Sequence, residues 1–149
     1  RRENSMGNTV LIINGPNLNM VGSREPEIYG DETLADIEEK CQTCAKELGL
    51  NIEFRQSNGE GEIVEWIQQS TGNFSVILIN AGAYTHTSIA IHDALKGCGL
   101  PVLEVHLSNI FQREDFRHVS YISSLAKGVI CGFGSQGYVF ALQATAQLL

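Results

Sequence analysis

The amino-acid sequence predicts an α/β fold in which helices cover both faces of a parallel sheet. The alternation of two kinds of segment supports this. Short apolar runs rich in β-branched residues alternate along the chain with longer segments whose apolar residues recur at helical spacing. Alternation of this kind is typical of parallel sheets whose crossovers are helices. We find no repeat, low-complexity tract or linker, so we expect one domain built on five strands.

Five segments have the pattern of β-strands. Residues 9–14 form a buried apolar run, whereas residues 51–57 alternate Ile52 and Phe54 with polar neighbours. Three further runs are rich in Val, Ile and Leu, and they span residues 75–80, 101–106 and 128–131.

The clearest predicted helix spans residues 33–48. Thr33 can cap its start, and Gly49 can end it because glycine readily adopts the left-handed conformation. One face of this helix is apolar and consists of Leu34, Ile37, Cys41, Cys44, Ala45 and Leu48. Further helices are predicted around residues 63–67, 87–96 and 138–149.

Length and composition restrict the classes of function. The chain has 149 residues, of which 43% are hydrophobic and 18% charged, as in an ordinary globular domain. A formal charge of −7 leaves no broad basic surface for nucleic acid, and the apolar runs are too short to cross a membrane. We therefore expect a cytoplasmic protein with four free cysteine thiols. Residues 1–8 are expected to be a disordered or cloning-derived leader, and residues 9–149 a single α/β domain.

Polar side chains follow three of the predicted strands. They lie in residues 14–17, in residues 80–82 and 85–87, and in residues 104–106 and 108–109. Because the carboxyl ends of parallel strands meet at one edge of the sheet, these amides, hydroxyls and imidazoles should converge. Loops are polar in any case, but three converging strand ends favour a binding site at this edge.

The connection from Gly15 to about Asp31 is longer than strand-to-helix loops usually are, and loops of this length are often lids. It carries Arg24 and Tyr29. Tyrosine has an ordinary pKa of about 10, and a neighbouring guanidinium would favour its phenolate. Lowering the pKa by two to three units needs about 3–4 kcal/mol. From the residues alone, a solvated loop with an incidental tyrosine remains an equally good interpretation.

Several segments, in order along residues 9–149, together resemble the signature of the type II 3-dehydroquinate dehydratases. Two departures are mild: Ala83-Tyr84 stands where Gly-Leu or Gly-Ala is common, and Leu107 stands where isoleucine is usual. The matching segments are residues 14–19 (NGPNLN), 24–26 (REP) with 29–30 (YG), 80–82 (NAG) with 85–88 (THTS), 104–109 (EVHLSN), 113–117 (REDFR) and 132–138 (GFGSQGY).

The resemblance implies a flavodoxin-like three-layer sandwich with a five-stranded parallel sheet, forming a single catalytic domain. It also implies elimination of water from 3-dehydroquinate, an anion, to give 3-dehydroshikimate. This lyase reaction belongs to the shikimate pathway of aromatic amino acid biosynthesis or to quinate metabolism. Tyr29, held by Arg24, would be the base, and Asn17 would orient a water that stabilises the enolate. His106 would be the general acid, with Glu104 orienting its ring.

The same resemblance implies the groups that bind the substrate, and it implies neither a cofactor nor a metal. Asn80, Leu107 and Ser108 would hold its carboxylate, with Asn80 also holding the departing hydroxyl, and His86 and Arg117 would hold its ring hydroxyls. Arg113 would belong to a mobile lid. Asp93 would reach the site of a neighbouring subunit in a homo-oligomer, a dodecamer built of trimers.

Other motifs are expected to be structural. The pattern Gly132-x-Gly134-x-x-Gly137 resembles a dinucleotide-binding turn, but it follows the last strand and leaves no room for the acidic ribose contact. Cys41-x-x-Cys44 lies in mid-helix, which favours buried thiols over a redox pair. His86, His92, His106 and His118 lack the spacing of a helical metal motif, and Lys40, Lys46, Lys96 and Lys127 are expected on the solvated surface.

Two other functions remain open from the sequence. A flavin- or nucleotide-binding domain would need a phosphate cradle after the first strand, where the loop instead contains Pro16 and lacks a run of glycines. A non-catalytic scaffold would use the fold only for assembly, and it would tolerate replacement of Tyr29 and His106.

Overall fold

The computed structural model describes residues 8–23 and 30–149. The described chain forms one five-stranded sheet in which every neighbouring pair of strands is parallel, in the order β2-β1-β3-β4-β5. The strands are β1 (Thr9–Asn14), β2 (Asn51–Gln56), β3 (Val76–Asn80), β4 (Val102–His106) and β5 (Gly128–Cys131). This is the strand order of flavodoxin-like folds, which confirms the predicted fold class.

The burial of each strand follows from its place in the sheet. The inner strands β3 and β4 are buried along their whole length, and β1 is buried from Val10 onward. The edge strand β2 alternates exposed and half-buried residues, as its sequence predicted, and β5 is only partly covered. The predicted bounds of β1 and β5 agree with the structure, while β3 and β4 begin one residue later than predicted and β2 ends one residue earlier.

Four α-helices cover the sheet within the described residues. They are α1 (Leu34–Leu48), α2 (Glu60–Gln68), α3 (Ile89–Cys98) and α4 (Gln136–Leu148). Helices α1 and α4 pack on one face, where they meet Val10 and Ile12 of β1. Helices α2 and α3 pack on the other face, against Leu11 and Ile13. Successive side chains of β1 thus point into opposite cores, as the two-residue period of a strand requires.

The helix ends follow local chemistry. Thr33 caps α1 in a reciprocal capping box with Asp36, and Gly49 ends it with φ of 73°. Helix α3 begins later than predicted, at Ile89, because residues 82–86 form a 3-10 turn and the Ser88 hydroxyl accepts from the Ile91 amide.

Helix α4 begins at Gln136, two residues earlier than predicted, so Gly137 lies inside its first turn. A Cβ atom at Gly137 would lie 3.3 Å from Val105 and 3.4 Å from Ile130. This glycine therefore lets the helix approach β4 and β5 closely, in agreement with a structural role for the glycine motif.

Strand register places three polar residues at the same edge of the sheet. Asn14 and Asn80 are paired neighbours at the ends of β1 and β3, and His106 ends β4. None of the helices in the described part of the chain combines the length and hydropathy needed to cross a membrane.

Candidate active site

A cavity of about 620 Å³ opens at the carboxyl edge of the sheet, beside the ends of β1, β3 and β4. Crevices at this edge are where open α/β sheets hold their ligands. The predicted site residues that line it are Asn17, Asn80, His86, His106, Leu107, Ser108, Arg113 and Arg117.

Glu104 and His106 form the buried acid–base pair of the cavity. They are two residues apart on β4 and therefore share one face of the sheet. The ring Nε2 of His106 lies 2.5 Å from Oε2 of Glu104, and both residues are buried, with relative exposures of 5% and 0%. A ring nitrogen at this distance donates to the carboxylate, so the contact fixes the orientation of the imidazole.

The carboxylate of Glu104 has two further donors. Ser120 donates to Oε2 at 2.9 Å, and Ser123 donates to Oε1 at 2.6 Å. Burial by itself raises the pKa of Glu104, but the hydrogen bonds from His106, Ser123 and Ser120 outweigh it and hold the pKa below its ordinary value. Glu104 is therefore an anion at neutral pH, and it accepts a hydrogen bond from the neighbouring ring.

The tautomer of His106 follows from this contact. With Nε2 donating to Glu104, Nδ1 is the nitrogen left for a ligand, and it makes no hydrogen bond to any described residue. The ring of His86 stacks against that of His106, with centroids 6.4 Å apart and planes 17° apart. His86 is itself fixed by a 2.8 Å contact between its Nδ1 and the Val119 carbonyl. Two oriented imidazoles thus face the same cavity.

Asn80 is held by a buried hydrogen-bond network on the α4 side of the sheet. Its Nδ2 donates to the Tyr138 hydroxyl at 2.9 Å, and that hydroxyl donates to Oδ1 of Asn14 at 2.5 Å. Asn80 Oδ1 also accepts from the Gly82 amide at 3.2 Å. Because burial raises the pKa of Tyr138, its hydroxyl stays protonated and keeps its role as donor.

The loop after β1 carries Asn17 to the cavity. Asn17 has φ of 70°, and it is the one non-glycine residue with positive φ in the described part of the chain. Its backbone N–H donates to Oδ1 of Asn58 at 3.0 Å. The loop packs tightly against the end of β3, since a Cβ atom at Gly15 would lie 2.2 Å from the Ala81 carbonyl oxygen. Only glycine fits at that point.

Two arginines give one wall of the cavity a positive charge. Arg113 donates from Nη1 to the Ser108 hydroxyl at 3.3 Å. Arg117 donates from Nε to Glu114 at 2.7 Å, and that hydrogen bond lowers the pKa of the Glu114 carboxyl. Guanidinium groups favour carboxylate ligands, so this wall is suited to an anion.

Comparison with known proteins identifies the family. The family model "Dehydroquinase class II" matches residues 8–146 of the chain.

The chain belongs to the class II dehydroquinase family.

Individual members of the dehydroquinase family are closely similar over almost the whole chain. The 3-dehydroquinate dehydratase of Azorhizobium caulinodans is 57% identical over 141 residues, covering 95% of this chain and 95% of its own. That of Prochlorococcus marinus is 58% identical over 140 residues, covering 94% of this chain and 97% of its own. The crystal structure of the type II dehydroquinase from Propionibacterium acnes superposes with a TM-score of 0.89 at 42% identity, covering 95% and 98% of the two chains. The predicted family is confirmed.

The predicted roles of three dehydroquinase residues are not tested by the described structure. Tyr29 and Arg24, the predicted base and its partner, lie outside the described residues. Asp93 is exposed on α3 and is not one of the described residues that line the cavity. Its predicted role toward a neighbouring subunit therefore stays a prediction.

Three residues that support the dehydroquinase site from a distance were not predicted from the sequence. Ser120 and Ser123 follow Glu104 by 16 and 19 residues, and Tyr138 lies 58 residues beyond Asn80. No local pattern connects such positions. The one available signal was a glutamate inside an apolar strand, because a buried carboxylate requires hydrogen-bond donors.

Lys40 is partly exposed, and its ammonium group also makes two contacts that the sequence did not predict. Its Nζ lies 3.2 Å from Oε2 of Glu32 and donates to the Ser135 hydroxyl at 2.7 Å. Glu32 and Ser135 both line the cavity. The lysine thereby connects the start of α1 to the start of α4, and its side chain is 38% exposed.

Proposed function

We propose that this chain eliminates water from 3-dehydroquinate through an enolate intermediate and releases 3-dehydroshikimate. Membership of the class II dehydroquinase family makes the chain a hydro-lyase, and the relatives described above are named 3-dehydroquinate dehydratases. The observation that carries the mechanism is the buried Glu104–His106 pair at a cavity that two arginines line. Elimination beside a ketone needs a proton donor for the leaving hydroxyl, and this pair offers one.

In the first step the Tyr29 phenolate takes a proton from the carbon beside the ketone. The C–H bonding electrons move into the carbonyl, which becomes an enolate. Arg24 holds the phenolate as an anion, because a close guanidinium favours the charged form of tyrosine. Asn17, at the cavity, orients a water molecule toward the enolate oxygen. These roles of Tyr29 and Arg24 rest on the family motif, since both residues lie outside the described part of the chain.

In the second step the enolate collapses and the C–O bond to the departing hydroxyl breaks. His106 gives its proton to that hydroxyl, which leaves as water. The 2.5 Å contact between Nε2 of His106 and Glu104 supports this role, since a buried carboxylate stabilises the protonated ring before transfer. Nδ1, the ring nitrogen that does not contact Glu104, is the atom we assign to proton transfer.

Substrate binding uses the polar and cationic wall of the cavity. Asn80, Leu107 and Ser108 hold the carboxylate, and Asn80 also contacts the departing hydroxyl. His86 and Arg117 hold the ring hydroxyls. The support for this arrangement is that all these residues line one cavity and that Asn80 and His86 are fixed by the contacts described above.

Arg113 is proposed to belong to a lid that closes over the anion. Its guanidinium already contacts Ser108 at the cavity, which places a positive charge beside the proposed carboxylate position.

We further propose a cytoplasmic homododecamer built of trimers, in which Asp93 reaches a neighbouring site. The exposed position of Asp93 on α3 is compatible with such a contact. The reaction would serve either the shikimate pathway or quinate metabolism.

The activity is tested by adding 3-dehydroquinate to the purified protein without added metal. The conjugated enone of the product should raise the ultraviolet absorbance with time. Treatment with borohydride in the presence of substrate should leave the activity intact, because no lysine Schiff base takes part. Absence of turnover in the folded protein would overturn the proposed function, and inactivation by borohydride would overturn the enolate mechanism with a tyrosine base. A yellow protein that binds flavin without turnover would favour the flavin-binding alternative.

A further inference from the structure

We infer that Asn58 is a positioning residue for this reaction: its side-chain carbonyl holds the backbone of Asn17 in the conformation that brings Asn17 to the cavity. The inference rests on the proposed function, because it concerns the residue assigned to the enolate. Asn58 is not itself among the described residues that line the cavity, so it acts through Asn17.

Asn17 needs an external support. Its φ of 70° lies in the left-handed region, which costs free energy for any residue with a Cβ atom, although asparagine tolerates it better than most. Such conformations persist where surrounding contacts hold them in place. On one side the loop is fixed by the close packing of Gly15 against Ala81. On the other side the support comes from Asn58.

Asn58 reaches the loop with one oxygen atom that accepts two hydrogen bonds. Its Oδ1 accepts from the Asn17 backbone N–H at 3.0 Å and from Nε2 of Gln56 at 3.1 Å. Nε2 of Gln56 also donates to the Gly15 carbonyl at 3.1 Å. The Asn17 N–H and the Gln56 amide nitrogen are both donors, so the Asn58 amide must turn its oxygen, not its NH₂ group, toward them. Asn58 and Gln56 therefore bracket the turn from Gly15 to Asn17.

Tyr84 secures Asn58 from the opposite loop. Its hydroxyl donates to the backbone carbonyl of Asn58 at 2.7 Å. Tyr84 belongs to the 3-10 turn that follows β3. Its hydroxyl thus connects the loops after β2 and β3. It strengthens the support that reaches Asn17.

The test compares Asn58→Ala with wild type in the dehydration assay. Loss of the acceptor should lower kcat about three- to tenfold, the kinetic equivalent of about 0.7–1.4 kcal/mol and the size of one hydrogen bond. KM should change less than twofold, since Asn58 does not touch the substrate. The kinetic isotope effect on kcat should rise with substrate deuterated at the carbon beside the ketone, because enolate formation becomes slower. Asn58→Asp keeps an acceptor for both donors and should recover most of the rate.

Two further variants separate positioning from a general structural role. Tyr84→Phe removes only the contact to Asn58 and should lower kcat in the same direction by a smaller factor. Asn73→Ala is the matched control, since exposed Asn73 likewise makes one side-chain hydrogen bond to the backbone, in this case by donating to the Gln69 carbonyl at 2.8 Å. It should keep wild-type kcat. Because Asn58 is exposed, the melting temperature of Asn58→Ala should stay within a few degrees of wild type.

The outcomes distinguish this inference from the proposed function. Wild-type kcat in Asn58→Ala would overturn the positioning role while leaving the dehydratase activity intact. A loss of rate with an unchanged isotope effect and no recovery in Asn58→Asp would also overturn it. Absence of turnover in wild type would overturn the proposed function itself, and the role of Asn58 with it.

Discussion

Replacing Glu104 by glutamine should slow dehydration by removing the charge that orients and stabilises protonated His106. The carboxylate offers two acceptor oxygens, and the described structure uses both. Oε1 accepts from Ser123 at 2.6 Å, while Oε2 accepts from Ser120 at 2.9 Å and lies 2.5 Å from Nε2 of His106. Glutamine has one acceptor and one donor group. Whichever way its amide points, the NH₂ group meets a side chain that donates in the native protein.

The size of the effect follows from the contact that is lost. A hydrogen bond to a charged group contributes about 1.5–3 kcal/mol. Because this hydrogen bond acts while His106 carries the proton that it transfers, its loss corresponds to roughly a 10- to 150-fold reduction in kcat. A change of tautomer would let Nε2 accept from the glutamine NH₂, but His106 would then have to give up the Nδ1 proton of a neutral ring, which is a far weaker acid than the protonated ring.

The same substitution should change how the free energy of unfolding depends on pH. The pKa of Glu104 is held below its ordinary value of 4.5 in the folded protein. A carboxyl group whose pKa is lower in the folded protein than in the unfolded one stabilises the fold. This stabilisation is fully present above the pKa of the unfolded state and is lost as the pH falls through the pKa of the folded state. Below about pH 4.5, the free energy of unfolding of wild type should therefore fall more steeply than that of Glu104→Gln. Urea unfolding between pH 3 and pH 7 measures this difference.

The control is Glu53→Gln on the edge strand β2, where the side chain is 53% exposed and pairs with Arg55. It makes the same chemical change far from the cavity and should keep wild-type kcat, because exposed ion pairs contribute little. Retention of at least half of kcat by Glu104→Gln, with an unchanged stability slope, would refute the reasoning that Glu104 supports His106.

Two further predictions concern buried groups. Tyr138→Phe removes the hydroxyl that joins Asn14 to Asn80 and leaves both buried amides without one hydrogen-bond partner. The free energy of unfolding, measured by urea titration, should therefore fall by about 2–5 kcal/mol. The KM for the substrate should also rise. A loss below about 0.5 kcal/mol would contradict the network. Burial raises the pKa of Cys41 to about 12. Iodoacetamide at pH 8 should therefore leave Cys41 unmodified in the native protein, while the half-buried Cys131 reacts first. Peptide mass spectrometry measures the modification of each thiol. Equal labelling of the two thiols would contradict this.

The sequence allowed the sheet to be predicted closely because its strands are short and strongly apolar. The predicted and observed bounds agree for β1 and β5, and α1 has both its predicted Thr33 cap and its Gly49 end. Helix α3 begins two residues later than predicted, because the 3-10 turn over residues 82–86 ends at Thr87 and Ser88 then caps the helix. Local propensity does not distinguish such a turn from the first turn of an α-helix.

The candidate site was predictable only in part. Parallel topology alone explains why Asn80 and His106 come to one edge of the sheet. Contacts between distant segments could not be inferred, because the serines that bind Glu104 and the lysine that joins Glu32 to Ser135 show no pattern along the chain. Asn58 was missed for the same reason, since its contact to Asn17 spans 41 residues.

The central claim is that Tyr29 is the base of a dehydratase, and one assay tests it most directly. Wild type and Tyr29→Phe are compared at equal concentration by the rise in product absorbance with saturating 3-dehydroquinate, after circular dichroism has shown that both are folded. The substitution keeps the ring and removes the proton acceptor, so kcat should fall by at least 100-fold, the lower end of the contribution of a general base. Turnover of Tyr29→Phe within a factor of two of wild type would contradict the assignment of the base.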